Sequence, residues 1–380
     1  MKRTLFDSDH DLFRASFAEF LQREAVPHLA EWDAAREVSR DFWRSAGANG
    51  FVGFQAPVEL GGAGIDDFRF NAIVDEETIE CGLTASNFAL QNDLLAPYLL
   101  DLTNDEQKAR WVPGFTRGEL IAAIAMTEPA TGSDLRGLQT VARRTATGWS
   151  VTGQKTFISS GAQADLIVTA AKVEQVGPRE PAILLVVEAD MPGFERGRKL
   201  EKVGRHAQDT TELFFDEVAV PAANVLGEAG DGMRQLMRNL PQERLSIAVT
   251  AVATAQKALR LTLAYVKERH AFGQPVGSFQ ANRHLLAELH TEVEIAQVYL
   301  DRCIEAHCAK ELTAAEAAST KYWTTELEFK VCDACVQLHG GYGYMEEYEI
   351  ARLWRDSRVQ RIYGGTTQIM KEIVGRSLGL

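Results

Sequence analysis

Met126-Thr127-Glu128-Pro129-Ala130-Thr131-Gly132-Ser133-Asp134 lies where a helical texture gives way to short β-rich runs. The stretch is dense in small residues, hydroxyls and free backbone amides, so it can approach a flat polar ring or a phosphate closely. Pro, Gly, Ser and Asp also form ordinary turns, and read alone the segment divides evenly between a ligand loop and a turn. Its position says more than its composition. Before it, from Asp7 to about Arg117, Phe13, Phe17, Phe20 and Leu21 repeat at helical spacing behind a Ser8-x-x-Asp11 start signal. Thr103-x-x-Glu106 reads as a capping box opening a later helix. Gly61-Gly62-Ala63-Gly64 reads as a plain turn, because no strand precedes it and no Lys-Ser or Lys-Thr follows.

Downstream, strands are predicted at Thr140–Arg144, Trp149–Thr152, Asp165–Val173, Pro181–Glu188 and Thr211–Phe215, with Thr147-Gly148 as a hairpin turn. No helical crossover separates them, which predicts an antiparallel sandwich or barrel. Helical periodicity returns at Asp231; Leu285, Leu289, Val293, Ala296 and Leu300 share one face, and Thr313-x-x-Glu316 caps a further helix. The expected fold is α+β: an N-terminal α-helical domain over 1–120, a middle β domain over 121–228 and a C-terminal helical bundle over 229–380.

The chain has 380 residues, long enough for several subdomains, and 40 Lys plus Arg against 53 Asp plus Glu give a net charge of −13. That acid excess argues against non-specific binding to nucleic acid or an anionic membrane. Cys81, Cys303, Cys308, Cys332 and Cys335 lack the spacing of a zinc site or a disulfide framework, so a reducing cytoplasm and no metal are expected. Cys332-x-x-Cys335, on one helical face, reads as packed core thiols. Met1-Lys2-Arg3-Thr4 runs on without an apolar leader, and the longest apolar runs, Ile121–Met126 and Ala182–Val187, are too short to span a bilayer. A soluble protein is expected.

A second cluster follows a helical run: Gln337-Leu338-His339-Gly340-Gly341-Tyr342-Gly343-Tyr344, then Arg352, Arg355-Asp356 and Arg361-Ile362-Tyr363-Gly364-Gly365-Thr366-Thr367-Gln368. The glycines suit a C-cap and turn, while the arginines and free amides suit an anion. Arg196, Arg198, Lys199, Lys202 and Arg205 read as a solvated face, with contact to the phosphates of a ligand as the lesser alternative.

Taken together, Thr127-Glu128-Pro129 with Gly132-Ser133-Asp134, Gly153-Gln154-Lys155-Thr156-Phe157-Ile158-Ser159, Glu268-Arg269-His270-Ala271-Phe272-Gly273, Gln337-Leu338-His339-Gly340-Gly341, Arg355-Asp356 and Ile362-Tyr363-Gly364-Gly365-Thr366 resemble, in order, the motifs of the acyl-CoA dehydrogenase family. The resemblance implies an FAD enzyme acting in fatty-acid or related acyl catabolism, with electrons passed to an electron-transfer flavoprotein. It assigns Met126, Thr127, Gly132 and Ser133 to the flavin, Phe157 to stacking behind its ring and Ser159 to its N5. Arg269, Phe272, Gln280, Gln337 and Gly341 match positions that reach the FAD of a neighbouring subunit, and Thr366 and Gln368 match contacts near the adenine. A homo-oligomer, a tetramer as in most of the family, follows from that.

In the commonest family pattern the catalytic carboxylate directly follows the Ile-Tyr pair, but here Ile362-Tyr363 leads into Gly364. In the long-chain and isovaleryl branches glycine or alanine takes that place and a glutamate arrives from a bundle helix. Asn239-Leu240-Pro241-Gln242-Glu243-Arg244-Leu245 resembles that helix start, with Pro241 suited to a first turn, so Glu243 is expected to be the base. On composition alone Glu243 reads as a first-turn acid favoured by the helix dipole; paired with Gly364 it reads as the base. Ser133, Arg244, Tyr363 and the Gly364 backbone N–H match substrate-side positions. Asn87, Ala89 and Pro97 suggest a roomy acyl pocket. Two rival readings stay open, a flavin oxidase or monooxygenase on the same fold, and a non-catalytic acyl-CoA or acyl-carrier binding subunit motivated by Gly364.

Overall fold

The computed structural model describes residues 2–174 and 182–380. Met1 and Pro181, the first residue of one expected strand, lie outside them. The N-terminal part holds α1 (Ser8–Glu24), α2 (Leu29–Ala35), α3 (Arg40–Ala48), α4 (Phe68–Glu80), α5 (Ala96–Asp101) and α6 (Asp105–Thr116), with a π-helical stretch, Leu90–Leu95, running directly into α5. Its core is aromatic: Phe17 meets Phe88 edge to face at 5.3 Å, and Phe20, Phe42, Trp43 and Phe51 are buried around them.

Both expected start signals here sit one residue away from the real caps. Asp7, not Ser8, caps α1 in a reciprocal box with His10. Asn104 with Gln107, not Thr103 with Glu106, opens α6. Gln107 is the better partner because its amide is buried and also donates to the carbonyls of Ala223 and Val225, joining α6 to the middle domain.

The middle part is one sheet of β1 (Ala122–Ala125), β2 (Val141–Arg144), β3 (Gly148–Ser159), β4 (Leu166–Val173), β5 (Ala182–Glu188), β6 (Phe194–Lys199), β7 (Thr210–Pro221) and β8 (Val225–Leu226). The order is β6-β7-β3-β2-β4-β5-β8, with β1 beside β4. Most pairs are antiparallel, but β1 and β2 both pair with β4 in parallel, so the sheet is mixed where an antiparallel one was expected. Both parallel partners are only four residues long, and loops rather than helices carry the chain between them. β3 runs on to Ser159, well past the expected end at Thr152, because Gly153-Gln154-Lys155-Thr156 interrupts the apolar alternation while two register shifts against β7 keep the pairing going.

The C-terminal part holds α7 (Gly232–Glu268), the small hairpin β9 (His270–Ala271) and β10 (Gln274–Pro275), α8 (Gln280–Cys308), α9 (Ala314–His339), α10 (Glu349–Ser357) and α11 (Thr367–Ser377). The Thr313/Glu316 capping box opens α9 as expected. α7 starts well upstream of Pro241, so Pro241 and Glu243 lie inside the helix and not in its first turn. This removes the helix dipole as a reason for an acid at Glu243, since that field fades beyond the first turn.

One buried polar cluster ties α7 to the N-terminal part. Ser246 Oγ lies 2.9 Å from Asp75 Oδ2 and 2.5 Å from Asp93 Oδ2, Asn71 donates to Asp93, and Gln242 donates to the Asp93 carbonyl at 2.7 Å. A hydroxyl has one proton, so one of the two Ser246 contacts takes its proton from a carboxyl group. Burial raises both acids, Asp93 to about 6 and Asp75 well above its ordinary range with the Asp93 charge adding to the rise. The sign follows: the folded chain keeps a proton that the unfolded chain releases above about pH 4, so this contribution to stability falls as pH rises through about 6. Comparison of thermal midpoints should therefore find Asp93→Asn gaining on the parent between about pH 5 and pH 8. A difference that does not vary with pH would remove the shared proton.

Candidate active site

Glu243 and Gly364, distant in sequence, are brought face to face. Gly364 sits in the turn before α11 with φ +63°, and a Cβ built on it would lie 3.7 Å from Glu243 Oε1 and run into Ile247 Cδ1. The carboxylate therefore occupies the space beside the missing side chain. It is 8% exposed, and burial pushes it up to about 7 while the cations of Arg244 and Lys321 oppose the rise. Arg244 Nε donates to the Gly364 carbonyl at 3.4 Å, and Lys321 Nζ donates to the Gly365 carbonyl at 2.7 Å. Gly365 also has positive φ, +96°, so the turn needs two glycines. Tyr363 donates from its hydroxyl to Gln360 Oε1 at 3.1 Å, and the Arg205 guanidinium stands 6.0 Å from its ring centre.

Sequence reasoning missed Lys321 and Tyr98. Lys321 lies on α9 among buried Ala317, Ala318, Thr320, Thr324, Thr325 and Glu328, positions that share a face at helical spacing. A lysine on that face was the available signal. Tyr98 is buried on α5, and burial together with the Glu243 charge holds its phenol well above its ordinary range. Of the expected pocket residues, Asn87 accepts from Gln208 at 2.7 Å and is thereby engaged with the middle domain.

The opening loop is pinned to β3. The Glu128 carboxylate accepts from Gln139 N, Thr140 N and Lys155 Nζ, and Lys155 also donates to the Met126 carbonyl. Thr156 N donates to the Thr127 carbonyl at 2.9 Å. Burial works to raise Glu128, but these donors outweigh it and leave the carboxyl low; burial pulls fully buried Lys155 down to about 8. The result sets Met126 and Thr127 beside the bulged end of β3. There Phe157, at φ +59°, is turned out of the sheet with 67% of its surface exposed, and Ser159 is half-buried next to it. Gly132 and Ser133 are exposed, and a Cβ at Gly132 would meet nothing within 4 Å. An open aromatic face beside hydroxyls and free amides fits a flat polar ring such as that of a flavin.

Other expected cofactor residues lie elsewhere. Arg269 closes α7, about 39 Å along the helix axis from Glu243 at ~1.5 Å per residue. With Tyr265, Gln337, Gly340, Gly341 and Tyr342 it lines an open groove of about 560 Å³. Phe272, 96% exposed, stands at the tip of the β9–β10 hairpin, and Gln280 opens α8. Thr366 caps α11 by accepting from Ile369 N, and Gln368 is exposed in the following turn. Cys332 and Cys335 are buried in the bundle core, with burial raising both thiols. Of the basic stretch, Arg196 and Arg198 are exposed as expected of a solvated face, while Arg196 also donates to the Gly161 and Ala164 carbonyls and half-buried Lys202 donates to Thr210 Oγ1 and the Gln208 carbonyl. Among the described residues no helix is long and apolar enough to cross a membrane.

A buried carboxylate facing a glycine turn, together with a loop whose open aromatic face suits a flavin ring, fits a flavin-dependent oxidoreductase. Family models described as the acyl-CoA dehydrogenase N-terminal, middle and C-terminal domains match residues 7–119, 123–218 and 230–379. The chain is 44% identical to the mitochondrial long-chain specific acyl-CoA dehydrogenase of Sus scrofa over 99% of its length and 88% of that protein's, and 32% identical to the mitochondrial isovaleryl-CoA dehydrogenase of Pongo abelii over 96% and 87%. A crystal structure of an acyl-CoA dehydrogenase from Geobacillus kaustophilus superposes with a TM-score of 0.96 at 46% identity, covering 99% of both chains. The chain belongs to the acyl-CoA dehydrogenase family, FAD-dependent oxidoreductases that act on CH–CH groups.

Breaking the Lys155–Glu128 pair tests the loop. Lys155→Met leaves a buried carboxylate short of a partner, a change that costs about 3–5 kcal/mol, and should lower both the thermal midpoint and the flavin absorbance per chain. Full flavin content would separate the ion pair from the cofactor loop.

Proposed function

We propose that the chain converts an acyl-CoA thioester to its trans-2-enoyl-CoA, with Glu243 removing the α-proton. The observation that carries this reading is the Glu243 carboxylate lying 3.7 Å from where a residue 364 side chain would begin. The carboxylate serves the same space from a different element, and Gly364 retains the backbone N–H that would donate to the thioester oxygen. A preorganised donor of that kind is worth about 3 to 4 kcal/mol. Glu243, raised to about 7, is matched to a proton transfer near neutral pH. Bound FAD supplies the acceptor for the β-hydride. Met126, Thr127, Gly132, Ser133, Phe157 and Ser159 would hold its ring, with Ser133, Arg244 and Tyr363 on the substrate side.

The kinship with long-chain enzymes supports a long acyl chain and a role in fatty-acid catabolism, and the family supports an electron-transfer flavoprotein as acceptor. Arg269, Phe272, Gln280, Gln337 and Gly341 lie too far along the bundle to meet a flavin held beside Glu243 of the same chain. That separation, with a phenylalanine 96% exposed, supports a homotetramer in which they reach a neighbour's cofactor, Thr366 and Gln368 lying toward its adenine.

Glu243→Gln should keep its flavin and lose roughly 10²–10⁴-fold in kcat. Near-normal turnover in that variant would end the assignment. Returning the carboxylate to the other position, as Gly364→Glu with Glu243→Gln, should not restore activity, because the new Cβ meets Ile247 and the backbone has positive φ. Adding Ile247→Ala should recover part of it, measured by bleaching of the bound flavin with an acyl-CoA.

A further inference from the structure

Lys321 is fully buried in the third turn of α9, where an ammonium costs several kcal/mol to desolvate. Among the described residues it has no carboxylate within ion-pair distance, and its hydrogen bond goes to the Gly365 carbonyl at 2.7 Å. The acids that face it are engaged elsewhere. Glu326 pairs with Arg361 at 2.5 Å and accepts from Thr367, while Glu328 accepts from Gln360 through Oε1 and is held well above the ordinary carboxylate range by burial, which favours its neutral form. The remaining anion is Glu243, whose Oε1 stands 3.7 Å from a Cβ position at Gly364, one residue from the carbonyl that Lys321 holds, with Arg244 as the second cation. A neutral side chain could donate to a carbonyl without the desolvation cost, so the hydrogen bond alone does not account for a lysine here.

We propose that Lys321 is a positioning residue for the reaction, fixing the Gly364–Gly365 turn through the Gly365 carbonyl and keeping the Glu243 carboxylate ionised by its charge. The proposal rests on the reading of Glu243 as base. Lys321 and Arg244 take the carbonyls of consecutive glycines whose backbone would otherwise be free to rotate, so the two peptide planes that follow Gly364 Cα are held and the turn carrying the Gly364 N–H loses its freedom on that side. The charge acts separately from the tether. A carboxyl this deeply buried would hold its proton near neutral pH, and the nearby cations favour its release. When Glu243 takes a proton, both cations remain, facing the negative charge that develops on the substrate oxygen.

The test uses the FAD-loaded enzyme and the pH profile of kcat/KM. Lys321→Gln keeps a donor for the Gly365 carbonyl and removes the charge; Lys321→Met removes both; Lys321→Arg keeps the charge. Lys321→Gln should move the acid limb toward higher pH by about one unit, so that activity below the limb falls about tenfold. Lys321→Met should show the same shift with a further loss of kcat, and Lys321→Arg should leave the limb in place. If Lys321→Met does not fold, Lys321→Gln alone decides. An unmoved limb in Lys321→Gln overturns the charge role, whatever happens to kcat. Glu243→Gln measured alongside separates the two failures: if it turns over normally the base is wrong, whereas if it is inactive and the Lys321→Gln limb has not moved, only the role of Lys321 falls.

Discussion

A carboxylate withdrawn from water must still be able to ionise, and the arrangement around Glu243 is shaped by that constraint. Burial raises the group to about 7, and the two cations hold it from rising further. Those same cations grip the backbone of the Gly364–Gly365 turn. One electrostatic arrangement therefore sets both the basicity of the acid and the direction of the neighbouring amides. Either task alone could be done by a neutral donor or by an exposed salt bridge. Doing both with groups this deeply buried needs buried charge, and buried charge needs a rigid surround.

That surround comes from α7, which reaches across domains. Its Glu243 turn is anchored one helical turn further on, where Ser246 meets Asp75 and Asp93, and just before it, where Gln242 reaches the Asp93 carbonyl. Pro241 interrupts the helix beside these contacts, giving up a backbone donor where side chains take over the fastening. The middle domain solves a similar problem with different parts. Lys155 is as deeply buried as Lys321 and is pulled down to about the same value, near 8, yet it lies 2.8 Å from Glu128. A cation paired at contact distance fastens a loop; one held on a turn carbonyl also acts on the carboxylate that faces that turn.

How much of this was legible in the sequence depended on distance along the chain. The three-part layout and the capping box at Thr313 are local patterns and could be read directly. The pairing of Gly364 with Glu243 could be read only by family resemblance, since nothing in either segment points to the other. Caps at α1 and α6 were missed by one residue because Asp7/His10 and Asn104/Gln107 are equally good boxes, and the choice was made by tertiary burial of His10 and Gln107. The parallel pairings of β4 and the bulged end of β3 were not legible, because a strand's partner and register are settled by its neighbours. Phe157 is the clearest case: its residue type is unremarkable in a strand, and its exposure comes from the register shift between Lys155 and Ile158.

The placement of the carboxylate at 243 rather than 364 has a steric side as well as an electrostatic one. Gly364 at φ +63° is conformationally suited to having no side chain, and Ile247 fills the space a Cβ would need. Ile247 is on the same face of α7 as Glu243, one helical turn on, so the helix that supplies the acid also closes off the alternative site. A carboxylate at 364 would demand that α7 offer a smaller residue at 247 and no acid at 243, three coordinated changes on two elements. The present state is thus held by packing as much as by charge. A chain with glycine at 364 and no acid on α7 would keep the turn and the two cations that hold its carbonyls, but would lack the buried carboxylate whose rise those cations oppose.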